Sequence, residues 1–117
     1  MDYRDLVVWQ RSMDLVESIY RETQKYPAEE RYGLTSQMSR CAVSIPSNIA
    51  EGQGRRASDL EFARFLGISL GSLCELETQV EVSRRMGFVS DEQSSKLHAD
   101  MAEIGRMLNG LIRSQRG

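Results

Sequence analysis

The sequence predicts an all-α fold, an antiparallel up-and-down four-helix bundle occupying residues 1–117 as a single domain. Three observations predict it. Apolar residues recur at intervals of three and four instead of alternating, which is the period of a helix face and not of a strand. Only two prolines interrupt 117 residues. Four periodic segments follow one another across short turn clusters, each with one apolar stripe to bury, and four antiparallel neighbours satisfy all the stripes at once. A chain this short supports one core, and no internal repeat or low-complexity tract marks a second unit.

The first helix spans about residues 5–25. Leu6, Trp9, Met13, Val16 and Tyr20 step along one face, and the pattern stops before Pro27, whose ring disfavours helix in the residue ahead of it. Trp9 is expected to anchor the core. In the segment "YPAEERYGL", Tyr26, Tyr32 and Leu34 are expected to pack back on the bundle. The second helix covers about residues 35–51, capped by Thr35 or Ser36, with Met38, Cys41, Ile45 and Ile49 on its stripe. Pro46 falls inside this stripe. Because the stripe stays in phase from Ile45 to Ile49, a bend within one continuous helix is expected, with Ser44, Ser47 and Asn48 serving the freed backbone groups.

The third helix opens on Ser58-Asp-Leu-Glu61, a capping box in which the serine hydroxyl accepts from the backbone three residues on, and it runs to about Met86 before Gly87. Gly67, Gly71 and Cys74 form a strip of small side chains on it, expected to let a bundle neighbour approach closely. Ser90-Asp-Glu-Gln93 is a second capping box. It precedes Leu97, Met101, Ile104, Leu108 and Leu111 at near-heptad spacing, and the fourth helix ends near Arg113.

"SIPSNIAEGQGRRASDLEF" holds the most chemistry-like stretch. Gly52-Gln-Gly54-Arg-Arg has neither the strand before it nor the Gly-Lys-Ser/Thr of a phosphate loop, so the glycines are expected to turn a corner between helices. Arg55 and Arg56 sit just ahead of the third helix, where an anion or nucleic-acid phosphate could rest, although Asp59 and Glu61 compete for the same field. Along one flank of the second helix run Gln37, Arg40, Ser44, Ser47, Asn48 and Glu51. Glu77 falls among Leu66, Leu70 and Leu73, where an unpaired carboxylate is costly, so Arg40 or Arg84 is its expected partner. Arg40, Asn48, Glu51 and Glu77 form either a structural polar network or a small ligand or RNA pocket.

Catalytic and metal chemistry lack their parts. His98 is the only histidine, lies off the apolar stripe and has no nucleophile near it in sequence; no Glu-x-x-His motif occurs. No metal site, cofactor site or catalytic residue is assigned, and the chain is not expected to be an enzyme. Cys41 and Cys74 are read as two small core residues, offset too far for a disulfide. A net charge of −2 excludes binding polyphosphate by bulk electrostatics and leaves only local patches. With no signal-peptide pattern and apolar runs far short of the roughly 20 residues a bilayer needs, a cytoplasmic location without membrane contact is expected.

"DLVVWQRSMDL" at residues 5–15, "YGLTSQMSRCAVSIPSNIAEGQGR" at 32–55 and "GSLCELETQ" at 71–79 resemble the four-helix-bundle proteins encoded within 23S rRNA intervening sequences. The resemblance covers nearly the whole chain. It implies a small bacterial cytosolic bundle, a ring of five subunits and no established enzymatic activity. That family in turn is similar to the accessory proteins of diversity-generating retroelements, whose basic bundles bind nucleic acid and a reverse transcriptase; the acidic balance here departs from them. The expected function is a non-enzymatic oligomeric scaffold or adaptor, with an RNA- or DNA-binding accessory protein as the alternative and RNA or another protein as partner.

The residue pattern supports association independently of the subunit count. Val8, Leu15 and Ile19 lie outside much of the first helix's main stripe, so its apolar arc covers roughly half the circumference. These outlying residues are expected to meet a neighbouring subunit, unless the segment from Tyr26 to Leu34 covers them.

Overall fold

The computed structural model describes residues 1–115, in which a short 3-10 turn at Tyr3–Asp5 leads into α1 (Val7–Thr23). A second 3-10 turn at Ala28–Glu30 precedes α2 (Leu34–Gly54), followed by α3 (Asp59–Arg85) and α4 (Asp91–Gln115), with no strand among the described residues. Each helix packs on two others: α1 on α2 and α4, and α3 on the same two. Neighbours in sequence are thus neighbours in space, the square arrangement of an up-and-down bundle. Its extents of 44 × 24 × 20 Å are those of one helix length by two helix diameters.

Where a helix has one stripe, that stripe is the core. Leu97, Met101, Ile104 and Leu108 of α4 are buried, as are Met38, Cys41, Ile45 and Ile49 of α2. The serine caps form as expected: Ser58 Oγ accepts from the Glu61 N–H at 3.1 Å and Ser90 Oγ from the Gln93 N–H at 3.0 Å. α2 passes through Pro46 without a break. Asn48 Nδ2 donates to the Ser44 carbonyl at 2.8 Å and Ser69 Oγ, from α3, to the Ile45 carbonyl at 2.9 Å. Neither is the Ala42 carbonyl, the one that Pro46 leaves without its helical donor, so the expected service of the freed group by Ser44, Ser47 and Asn48 is not what these bonds do.

α1 is rotated relative to expectation. Its buried face is Val8, Ser12, Leu15, Ile19, Glu22 and Thr23, while Met13 and Tyr20 are exposed and Trp9 and Val16 only half-buried. Leu15 and Ile19 therefore belong to the core of the single chain and not to a subunit contact, and Trp9, expected as a core anchor, is only half-buried and packs against the edge of that core. The physical reason lies in the two hydroxyls. Ser12 Oγ donates to the Val8 carbonyl at 2.7 Å and Thr23 Oγ1 to the Ile19 carbonyl at 2.8 Å, so both residues are buried with their polar atoms already satisfied.

Three further expectations are corrected. Gly33 with no side-chain bond, not Thr35 or Ser36, stands at the N-cap of α2. Neither Gly52 nor Gly54 turns the corner; both are helical, and the positive φ among the described residues belongs to Gly87, at 80°, which ends α3. Gly52 is instead buried against Phe62 and Phe65. Tyr26 is buried, with its ring 5.5 Å from that of Phe88, but Tyr32 is 89% exposed.

The small strip on α3 faces away from the bundle. Cβ atoms built on Gly67 or Gly71 would meet nothing within 4 Å, and Cys74 is exposed. The buried residues Leu66, Ser69, Leu73, Leu76 and Val80 occupy the opposite side of the helix. Tight packing within the bundle is therefore the wrong account of these glycines.

Candidate functional site

The helices bring the expected polar residues to three places and leave Glu77 alone. At the α2–α3 corner, Arg55 Nη1 lies 2.8 Å from Glu51 Oε1, while Arg56 pairs with Asp59, donates to Gln115 and stacks over Phe62 at 4.7 Å. Both guanidinium charges have acidic neighbours. Arg40 is exposed and donates to Ser36 Oγ at 3.1 Å. Glu77 is half-buried and makes no ion pair among the described residues, because Arg84 is held by Glu81 and Asp91. The four residues Arg40, Asn48, Glu51 and Glu77 do not join in one network: Asn48 bonds its own helix and Glu51 bonds Arg55.

Between α2 and α3 a shallow groove of about 420 Å³ is lined by Tyr32, Gln37, Arg40, Cys41, Ser44, Ser72 and Glu75. Its floor is satisfied internally. The Ser44 and Ser72 hydroxyls bond each other, and Cys41 Sγ donates to the Ser72 carbonyl at 2.9 Å. Burial, reinforced by the Glu75 charge, pushes the Cys41 thiol up to about 11, which leaves almost no thiolate at neutral pH. Cys74, expected in the core, is exposed, and both cysteines are free. His98 is half-buried on α4, and no cluster of three metal-ligating side chains occurs among the described residues.

The strongest charge perturbation is at the top of α3. Hydrogen bonds from Arg84 and then Arg85 hold the Glu81 carboxyl down to about 2. Glu81 Oε2 accepts from Arg84 Nη2 at 2.8 Å and from Arg85 Nε at 2.9 Å. A depressed folded-state pKa means that the stabilisation is complete above the ordinary glutamate value of 4.5 and is lost as pH falls toward about 2. In a carbon-detected NMR titration, the Glu81 carboxyl is expected to protonate well below the ordinary carboxylate range. Replacing Arg84 and Arg85 together by Gln should return its midpoint to the ordinary range; an unchanged midpoint would disprove the pairing.

One surface was missed by sequence reasoning. Turning α1 so that Leu15 and Ile19 point inward brings Trp9, Met13, Val16 and Tyr20 to its α2 side. Trp9, Met13 and Val16 line an apolar groove of about 320 Å³ with Tyr3, Val43, Pro46 and Ala50, and Tyr20, Ser39 and Arg40 extend it past Val43. Tyr3 packs edge-on against Trp9, ring centres 5.4 Å apart, and the Arg4 guanidinium lies over the Tyr3 ring at 4.7 Å. The signal was present in the two apolar arcs of α1, but the main stripe was assigned to the core and the outlying arc to the surface, the reverse of their placement.

No described helix is long and apolar enough to cross a membrane. Comparison with curated proteins gives no match. Among solved structures the chain is similar to a protein of unknown function from the S23 ribosomal protein family of Bacteroides thetaiotaomicron VPI-5482, known from a 1.70 Å crystal structure. The two share 25% identity and a TM-score of 0.84, with 97% of this chain and 99% of that one covered. The four-helix architecture is therefore common to both. Residues 4–110 match the family described as 23S rRNA-intervening sequence protein, and the chain belongs to that family.

Proposed function

We propose that this protein is a non-enzymatic, cytoplasmic scaffold or adaptor that works as a homo-oligomer, with α1 and α2 presenting the surface of self-association. The observation supporting it is the apolar groove. Met13, Tyr20 and Val43 are each more than a third exposed on one side of the molecule, with half-buried Trp9 and Val16 beside them. A contiguous apolar surface of this kind marks an interaction site in a chain otherwise well packed. Five subunits is the number that the family resemblance implies.

The test is light scattering after size exclusion at micromolar concentration. The unmodified protein is expected to run as an oligomer, and Met13→Glu combined with Val43→Glu to run at the mass of one chain with its helical circular dichroism intact. A native mass of one chain would refute self-association; a dimer or tetramer would refute five. The alternative, an RNA- or DNA-binding accessory protein, would use Arg55 and Arg56. Their pairing with Glu51 and Asp59 lowers the charge available to phosphate, which favours the scaffold. Salt-dependent binding of structured rRNA in fluorescence anisotropy, weakened by Arg55→Gln with Arg56→Gln, would reverse that preference.

A further inference from the structure

We propose that the occupant of the α1/α2 groove is the outer face of α3 from a second copy of this chain, so that copies associate head to tail. This rests on the self-association proposed above and adds which surfaces meet. Their relief is complementary. The groove carries the bulk of Trp9, Met13 and Tyr20, whereas the outer face of α3 is bare at Gly67 and Gly71, with Ile68, Cys74 and Val82 exposed beside them. A glycine face with no bundle neighbour gives up helix propensity relative to Ala and gains nothing within the single chain. A bulky ridge from another copy supplies the missing gain by close approach.

Their heights also match. Gly71 and Cys74 flank Ser72, whose hydroxyl meets that of Ser44 on α2. Ser44 in turn borders the groove together with Tyr20 and Val43. Lower down, Gly52 on α2 packs against Phe65, which sets Gly67 nearer the level of Ala50 and Trp9. Rotation about an axis parallel to the bundle leaves height unchanged, so ridge and strip meet in any closed ring built that way. The two faces differ and point apart, since α3 does not touch α1. Such an interface is heterologous and closes by rotation, not by a two-fold axis.

Charge agrees with the same placement. Arg40 rims the groove and Glu75 rims the glycine strip; both are exposed, and neither is in an ion pair among the described residues. They line the same α2/α3 groove and so lie at one level. In a head-to-tail contact Arg40 of one copy faces Glu75 of the next.

Cys74 makes the contact testable in the full chain. Tyr20→Cys, with Cys74 retained, is oxidised with copper phenanthroline and run on a non-reducing gel while its mass is followed by light scattering. A ladder extending beyond the dimer is expected, and it should vanish in Tyr20→Cys with Cys74→Ser. Gly67→Gln with Gly71→Gln should fall to the mass of one chain with its helical circular dichroism intact, because the space around both glycines is open and glutamine is the better helix former. An oligomer that forms only groove-to-groove dimers in Tyr20→Cys with Cys74→Ser, or that ignores both glutamines, overturns the head-to-tail contact while self-association stands. Unmodified protein at the mass of one chain overturns both.

Discussion

Ile19→Glu is expected to unfold the single chain, not to dissociate an assembly. Ile19 is 0% exposed and Leu15 2%, both within the core cluster that joins all four helices. Removing a buried isoleucine side chain alone costs roughly 2–5 kcal/mol. A carboxylate in its place adds the penalty of a buried charge with no cation to meet it, and the sum approaches the roughly 5–15 kcal/mol that holds a domain together. Far-ultraviolet circular dichroism should show loss of the helical signal, or a urea transition shifted close to zero denaturant. Tyr20→Glu, one residue on, is the internal control: Tyr20 is 47% exposed and should keep its helical content. A folded, helical Ile19→Glu protein at reduced mass would show that this side chain faces a neighbouring subunit after all.

The architecture was legible wherever one apolar stripe faced one core. α4 has no competing stripe, so Leu97, Met101, Ile104 and Leu108 were identified without ambiguity, and the serines at 58 and 90 announced their caps through local spacing alone. α1 was not legible because two arcs compete on it. The arc with more bulk, from Leu6 to Tyr20, was the natural choice, yet the buried one contains Ser12, Glu22 and Thr23. Periodicity counts those as polar, although a hydroxyl returned to its own helix carbonyl is buried at little cost. Glu77 misled in the opposite sense. It shares a helical face with Leu70, which is itself only half-buried, so the flank toward which both point is partly wet and the carboxylate needs no partner. The groove followed from the same inversion: once α1 is turned, Met13 and Tyr20, assigned to the core, become apolar surface, and Trp9 and Val16 lie at the core's edge beside them.

Gly52→Ala is expected to destabilise the protein by roughly 1–3 kcal/mol, the usual cost of overpacking a well-filled core. The substitution tests the reassignment of this glycine from a turn to a close contact. A left-handed corner would make alanine costly through backbone strain, but Gly52 is helical and carries no positive φ. By propensity alone alanine should then help, by about 1 kcal/mol. Packing decides the sign. A Cβ at position 52 would stand 2.6 Å from Phe65 Cβ and 3.1 Å from Phe62 Cδ1. Phe65 Cβ is the root of its side chain and cannot swing aside by a rotamer change, so relief requires α2 and α3 to separate along their contact. Gly54→Ala is the matching control, since a Cβ there meets nothing within 4 Å and the propensity gain, smaller at this last helical residue, is unopposed. Urea unfolding of the two variants should therefore move in opposite directions from the unmodified protein. If Gly52→Ala proves as stabilising as Gly54→Ala, the two helices are not in contact at this glycine and the close approach is refuted.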